Sequence, residues 1–202
     1  GSGSRSDAFS ILKNARVGIA TSSPQAQLHI AGNDGLLVTG TYGSGATIVN
    51  GAATTMFFNP RKAAFRVGRV STNNWDEDSV GIYSFAAGLN TKAKGKYSIA
   101  MGSNVEALSD YETALGRYST LYTPVDADGW AENDRLLVVG NGTGSGGSRS
   151  DAFVILKSGN VGINTSNPES DIHIVQNNSS VYPETKGIKF EYTPSSKWNL
   201  YA

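Results

Sequence analysis

The feature that most constrains this chain is a tandem repeat of seven residues that pairs into units of fourteen. From Tyr83 the sequence reads YSFAAGL, NTKAKGK, YSIAMGS, NVEALSD and YETALGR. A coiled coil is disfavoured, because Gly costs about 1 kcal/mol per helical position and the core positions would hold only Ala and Gly. Alternation within each heptad has the period of two that is typical of strands. The repeat therefore predicts a β-solenoid, in which each heptad forms a strand with its turn and fourteen residues form one two-stranded coil.

The period of two also assigns residues to faces. The small side chains should line the narrow interior of the roll, which predicts this interior set: Ala86, Gly88, Ala93, Gly95, Ala100, Gly102, Ala107, Ala114 and Gly116. The other face of the Tyr-headed heptads is apolar, and that of the Asn-headed heptads carries Lys92, Lys94, Glu106 and Leu108. A thin roll cannot bury its own apolar stripe, so the stripe predicts an interface with another chain. Cover by another part of the same chain is the alternative.

A second repeat has a much longer period. Residues 4–30 (SRSDAFSILKNARVGIATSSPQAQLHI) and 148–174 (SRSDAFVILKSGNVGINTSNPESDIHI) are identical at 17 of 27 positions without a gap. Short β-rich runs between Gly, Asn and Pro predict a strand–turn–strand module in both copies, with one shared backbone conformation. Copy two follows an apparent strand, DRLLVVG, whereas only Gly-Ser-Gly precedes copy one. We therefore expect the chain to begin within a module of a longer protein.

Composition excludes several classes of function. The chain of 202 residues has 17 basic and 17 acidic side chains, so it lacks the basic surplus that nucleic acid or an anionic membrane would attract. The absence of cysteine excludes disulfides, thiolate metal sites and cysteine nucleophiles. No apolar run is long enough for a membrane-spanning helix.

The repeats resemble two known groups of proteins. The fourteen-residue unit, over about residues 79–119, resembles the left-handed parallel β-roll of the YadA-like head in trimeric autotransporter adhesins. The Val-Gly-Ile-x-Thr-x-x-Pro pattern with a following His-Ile, at 17–30 and 161–174, is similar to modules of phage-tail-fibre-like proteins, as is the segment MFFNPRKAAFRVG at 56–68. The resemblance implies an elongated homotrimer. The lack of a coiled-coil stalk and barrel anchor in this sequence favours the tail-fibre group or leaves the parent protein undetermined.

The expected fold is all-β: an elongated homotrimeric fibre with a central left-handed parallel β-roll flanked by β-hairpin modules. Five segments are expected: 1–31, a partial β-module; 32–78, a β-rich connection; 79–120, the roll; 121–176, the second β-module; and 177–202, a β-rich end that continues in a longer protein. The trimer interface is predicted at Phe85, Ile99, Met101 and Leu115.

Motifs that carry chemistry are few and weak. Gly142-x-Gly144-x-x-Gly147 matches a dinucleotide fingerprint, but no helix pattern follows it, which favours a hairpin loop. The acidic residues at 126–134 and at 76–78 are interpreted as solvated loops, with a cation site and a glycosidase pair as the alternatives. His29 and His173 hold equivalent positions in the long repeat and are assigned a structural role. We expect no catalytic residue, no cofactor and no metal.

These observations predict a structural and adhesive segment of a homotrimeric extracellular fibre, either binding a receptor or acting as a spacer, most similar to a phage tail fibre. The expected partners are two further copies of the chain and a cell-surface glycan or protein receptor, with neither nucleic acid nor membrane insertion. The expected location is a virion, a phage-like tail fibre or a bacterial surface. The alternatives are the head of a bacterial surface adhesin and a fibre-borne polysaccharide depolymerase.

Overall fold

The computed structural model describes residues 8–46 and 51–176, and the backbone of residues 188–193 and 196–200. Strands dominate this part of the chain, which contains no α-helix and two short 3-10 turns, Glu77–Ser79 and Gly146–Ser148. The predicted all-β class is confirmed. The chain divides into two compact units, Gly1–Gly40 and Thr41–Ala202.

The first unit contains one three-stranded sheet. Its strands are β1 (Phe9–Ile11), β2 (Val17–Ile19) and β3 (Leu28–Ile30). β1 pairs with β2 in antiparallel orientation, and β2 pairs with β3 in parallel orientation.

The second unit is organised around a nine-stranded sheet. Its strands in chain order are β4 (Ala53–Asn59), β5 (Ala64–Val70), β6 (Phe85–Leu89), β8 (Ile99–Ser103), β10 (Thr113–Arg117), β11 (Arg135–Asn141), β12 (Asp151–Leu156), β13 (Val161–Ile163) and β14 (Ile172–Ile174). Their spatial order is β14-β13-β12-β11-β10-β8-β6-β5-β4. A second sheet pairs β7 (Lys92–Ala93) with β9 (Glu106–Ala107), and a third pairs β15 (Ile188–Thr193) with β16 (Ser196–Leu200).

The fourteen-residue period sets the register between neighbouring strands. Phe85 pairs with Ile99 and Ile99 with Thr113, in parallel orientation. In the second sheet Lys92 pairs with Glu106 at the same separation. Each strand from a Tyr-headed heptad therefore lies beside its equivalent fourteen residues away, and the Asn-headed strands form the other sheet. Equivalent positions of the repeat are thereby stacked in columns, one of which consists of Ala86, Ala100 and Ala114.

The first residue of each heptad lies at a corner of the chain with left-handed backbone. The φ angles at these positions are between 52° and 59°, for Tyr83, Asn90, Tyr97, Asn104 and Tyr111. Asn tolerates this conformation, whereas a bulky residue there needs compensation from its surroundings. The alternation of Tyr and Asn in the sequence is thus an alternation of two corner types.

The predicted similarity of the two long-repeat modules is confirmed. Phe9 pairs with Ile19 in copy one as Phe153 pairs with Ile163 in copy two. The turn contacts also match: the His29 Nδ1 accepts from the Gln25 N–H at 3.4 Å, and in copy two the His173 Nδ1 accepts from the Glu169 N–H at 3.3 Å. Sequence identity therefore corresponds to the same strand pairing and the same histidine contact in both copies.

Candidate functional site

The most prominent surface feature is one face of the nine-stranded sheet, here called the apolar face. It consists of two rows that cross every strand of the sheet. One row contains Phe58, Phe65, Phe85, Ile99, Thr113, Leu137, Ile155, Val161 and Ile172; the other contains Met56, Val67, Ala87, Met101, Leu115, Val139, Phe153, Ile163 and Ile174. Only Thr113 carries a polar group.

Every residue of the apolar face is at least partly exposed in the single chain. Ile99 is 37% exposed, Met101 44% and Met56 67%. The opposite face of the same strands is buried, with Ala86, Ala100, Ala114, Val138 and Val154 all at 0% exposure. Within the described residues, the central strands of the sheet therefore carry apolar side chains on both faces, and only one of these faces is buried.

The structure places all four residues of the predicted trimer interface on the apolar face. Phe85 and Ile99 are neighbours in one row, and Met101 and Leu115 are neighbours in the other. Phe65 extends the first row and stacks on Phe85, with ring centroids 5.7 Å apart. The face also continues beyond the heptad repeats on both sides, into β4 and β5 and into β11–β14, which the repeat alone did not indicate.

The predicted interior residues fall into two groups. Ala86, Ala93, Ala100, Ala107 and Ala114 are fully buried and form one cluster with Val105, Val138, Val154 and Leu156, and Gly95 is also buried. Gly88 is half-buried, whereas Gly102 and Gly116 are exposed, which differs from the predicted interior position.

Gly88, Gly102 and Gly116 are required because of close contacts between backbones, not because they line a narrow interior. A Cβ on Gly88 would lie 2.0 Å from the Gly102 carbonyl oxygen, and a Cβ on Gly102 would lie 1.9 Å from that of Gly116. Their φ angles are +118° and +129°, a region that only Gly enters easily. The glycine column therefore lets neighbouring backbones approach each other where the chain leaves the sheet.

A column of stacked aromatic rings runs along the corners of the Tyr-headed heptads. Tyr83, Tyr97 and Tyr111 stack with ring centroids 5.1 and 4.7 Å apart and nearly parallel planes. Tyr42 stacks on Tyr83 at one end, at 5.4 Å. At the other end the Trp130 ring lies 6.3 Å from that of Tyr111 and is tilted by 57°. Each ring is about half exposed. The three tyrosines with left-handed backbone therefore contact one another through their rings, and no feature of the sequence indicated that Tyr42 and Trp130 join them.

Ala86, Ala100 and Ala114 are paired in register and are here called the alanine column. A buried arginine lies at one end of this column. Arg66 is in register with Ala86 and has 0% exposure. Its guanidinium donates to the carbonyl oxygens of Phe65, Ser84 and Ala93 at 2.8–3.0 Å, and to the Ser84 hydroxyl at 2.7 Å. Burial lowers the pKa of Arg66 to about 10. The side chain thus replaces the backbone contacts that a further repeat would provide.

The other end is marked by two coupled departures from the repeat. The Ser98 hydroxyl donates to the Gly95 carbonyl oxygen at 2.6 Å, and one repeat later these positions hold Glu112 and Ser109. The Glu112 carboxylate accepts from the N–H groups of Leu108 and Ser109 at 2.7 and 3.0 Å. The equivalent positions 84, 98 and 112 hold Ser, Ser and Glu. The change from Ser to Glu at position 112 is therefore the sequence signal for this end of the alanine column.

Glu112 is completely buried and belongs to a small polar network. The Tyr122 hydroxyl donates to its carboxylate at 2.9 Å, and the Arg135 guanidinium lies 4.4 Å from the Tyr122 ring centroid. Arg135 also forms a buried ion pair with Asp151 at 3.2 Å. Burial raises the pKa of Glu112, while its hydrogen bonds and Arg135 oppose that shift. The network joins the last repeat to the strands that follow it.

The charged face predicted for the Asn-headed heptads is present on the second sheet. Lys92 and Glu106 form an ion pair at 3.8 Å whose side chains are 25% and 23% exposed, and Lys94 is exposed. These side chains and Leu108 line a groove of about 250 Å³ together with residues of the 122–127 segment.

The other candidate motifs have structural contacts. Gly142, Gly144 and Gly147 lie in and next to the loop between β11 and β12, which pair in antiparallel orientation as the hairpin interpretation predicted. The Asp134 carboxylate accepts from the N–H groups of Val125 and Asp126 at 2.7 and 3.1 Å.

The acidic cluster at 76–78 is likewise engaged with the chain. The Asp76 carboxylate accepts from the Gly51 N–H at 2.7 Å, and Glu77 lies 3.2 Å from the Lys62 amine. Trp75 is buried and donates to the Thr91 carbonyl oxygen at 2.9 Å, so its ring is not presented to a ligand. Within the described ranges, no group of three or more His, Cys, Asp or Glu side chains is arranged to hold a metal ion.

Comparison of the chain with protein-family models, curated proteins and solved structures found no significant match. Among the residues that the structure describes, no helix is both long and apolar enough to span a membrane.

Proposed function

We propose that this chain is a structural and adhesive segment of a homotrimeric extracellular fibre, of the phage-tail-fibre type, in which the apolar face is the seam between subunits. The observation that carries the proposal is the pair of apolar rows across nine strands. No side chain of these rows is buried by the part of the chain that the structure describes. An apolar surface of this extent marks an interaction site, because leaving it in water forgoes its burial energy.

The remaining architecture is consistent with a fibre. Parallel strands repeat every fourteen residues with a constant register, which we interpret as the coils of a left-handed β-roll. The resemblance to YadA-like heads and tail-fibre modules sets the expected number of subunits at three, with closed threefold symmetry. Three identical copies would present every other surface feature three times, which converts weak contacts with a glycan or protein receptor into avidity.

The test uses two aspartate substitutions that differ only in the face they modify. Light scattering should give about 64 kDa for the unaltered chain, three times 21.3 kDa. Ile99→Asp places a carboxylate on the seam of every subunit and should yield a species of 21.3 kDa or an unfolded chain, because burying an unpaired charge costs several kcal/mol. Lys94→Asp, on the charged face, should keep the trimer and change stability by no more than about 0.5 kcal/mol.

Two results would refute the assignment of the apolar face as the interface between subunits. One is a stable monomer of the unaltered chain at micromolar concentration, and the other is equal sensitivity of the trimer to substitution at positions 94 and 99. The adhesive part of the proposal is tested by applying the unaltered trimer and the Lys94→Asp and Ile99→Asp variants to a glycan array. If the unaltered and Lys94→Asp trimers bind a glycan and a folded Ile99→Asp monomer does not, the result supports avidity. If neither trimer binds, the segment acts only as a spacer.

A further inference from the structure

The two long-repeat modules differ in what lies beside their first strand. In copy two, β12 lies between β13 and β11. In copy one, β1 is the edge strand of its sheet, and within the described part of the chain no strand pairs with its outer edge. The same module is therefore seen once with an added strand and once without it.

The hydrogen-bond pattern shows which groups β1 presents at this edge. The Ala20 N–H donates to the Ala8 carbonyl oxygen at 3.0 Å, and the Leu12 N–H to the Arg16 carbonyl oxygen at 2.9 Å, both within the module. Alternate residues of an antiparallel strand direct their polar groups to opposite edges. The N–H and C=O groups of Phe9 and Ile11 thus point away from β2.

In copy two the equivalent residues face β11. Phe153 pairs with Val139 and Ile155 with Leu137 in antiparallel orientation. With this neighbour in place, Phe153 and Ile155 are only partly exposed.

In copy one Phe9 is 60% and Ile11 67% exposed. An open edge with apolar side chains is a template for another strand.

We propose that β1 is an acceptor site for one antiparallel strand, and that its occupant is a strand of the β11 type from this protein's own polypeptide. The β11 sequence, Arg-Leu-Leu-Val-Val-Gly-Asn, supplies the apolar side chains that lie opposite the module and precedes it in the chain.

Copy one differs from copy two at the strand position that faces the core. Ser10 replaces Val154, and its hydroxyl donates to the Thr21 carbonyl oxygen at 2.8 Å. The Ser10 side chain of β1 thus has its hydrogen-bond partner within the module. Recognition of the occupant thus depends on the edge groups and on the side chains of Phe9 and Ile11.

The first arm of the test adds a synthetic peptide with the sequence of residues 134–141 to the full chain and follows amide hydrogen exchange. The amides of Phe9 and Ile11 should slow by about tenfold or more at saturation, while that of Leu12, already bonded to Arg16, should change little. A peptide with Asp in place of Leu137 and Val139 should have no effect. Ile11→Pro, which removes one outward N–H and no bond to β2, should weaken the response.

The second arm supplies the strand in cis, by fusing a second copy of residues 134–147 ahead of Ser4. Protection of the Phe9 and Ile11 amides in this fusion, with the subunit number unchanged, supports the proposal even if the free peptide binds weakly. Unchanged exchange at both amides in both arms overturns it. Protection that depends on chain concentration, in the absence of peptide, overturns the assigned occupant, because a second copy then fills the site. These readouts are local to β1 and do not depend on the apolar face.

Discussion

Gly102→Ala tests directly whether the glycine column permits close packing of adjacent repeats. Gly102 pairs with Gly88 on one side and Gly116 on the other. An added Cβ would lie 1.9 Å from the Gly116 carbonyl oxygen, whereas ordinary contacts begin near 3.4 Å. The neighbouring strand would have to move by more than an ångström, or the backbone of residue 102 would have to leave its present conformation.

Two contributions set the magnitude. A non-Gly residue held at a φ of +129° costs about 1–3 kcal/mol. Separating the strands weakens at least one ladder hydrogen bond, which contributes about 1 kcal/mol. The free energy of unfolding should therefore fall by about 2–4 kcal/mol, a large part of the 5–15 kcal/mol typical of a domain.

The assay is urea-induced unfolding followed by circular dichroism, with Gly147→Ala as the matched control. Gly147 has ordinary φ and nothing within 4 Å of its added Cβ, so this substitution should change the free energy by no more than about 0.5 kcal/mol. Equal unfolding midpoints for the two variants would show that the strands do not approach as closely as described.

The two buried charges at the ends of the alanine column give further predictions. Because burial raises the pKa of Glu112, the folded chain holds the protonated form more tightly than the unfolded chain does. The free energy of unfolding should consequently fall as pH rises from below the ordinary value of 4.5 through the folded pKa, and Glu112→Gln should flatten this dependence in pH-resolved denaturation curves. Arg66→Ala removes the hydrogen bonds of a buried guanidinium to the carbonyl oxygens of Phe65, Ser84 and Ala93 and to the Ser84 hydroxyl, and it should cost at least about 3 kcal/mol in thermal unfolding. Arg69→Ala, on the exposed side of β5, should be nearly silent. A pH profile unchanged by Glu112→Gln, or equal losses at positions 66 and 69, would contradict these assignments.

The sequence by itself determined the strand class, the register and the division of each strand into two faces. Side chains that alternate with a period of two fall on two separate faces only if the backbone is extended. The period of fourteen then determines which residues are neighbours when these strands pair in parallel. The burial of Ala86, Ala100 and Ala114 and the exposure of Ile99 and Met101 were therefore predictable. The identity between the two long-repeat modules determined their common turns in the same way, because each Gly and Pro restricts the same backbone positions.

Only the tertiary structure decided where the repeats end and what lies beside them. Arg66 and Tyr42 come from segments before the repeat, and Trp130 from the segment after it, so no periodicity links them to the columns they complete. The sequence predicted glycine at these positions because a narrow interior needs small residues, whereas the structure shows close contact with the neighbouring backbone. The sequence shows that a side chain is absent, but it does not show which atom an added Cβ would contact. The extension of the apolar face into β4, β5 and β11–β14 likewise depends on pairing between non-repeating strands, where contact is set by the path of the chain in space.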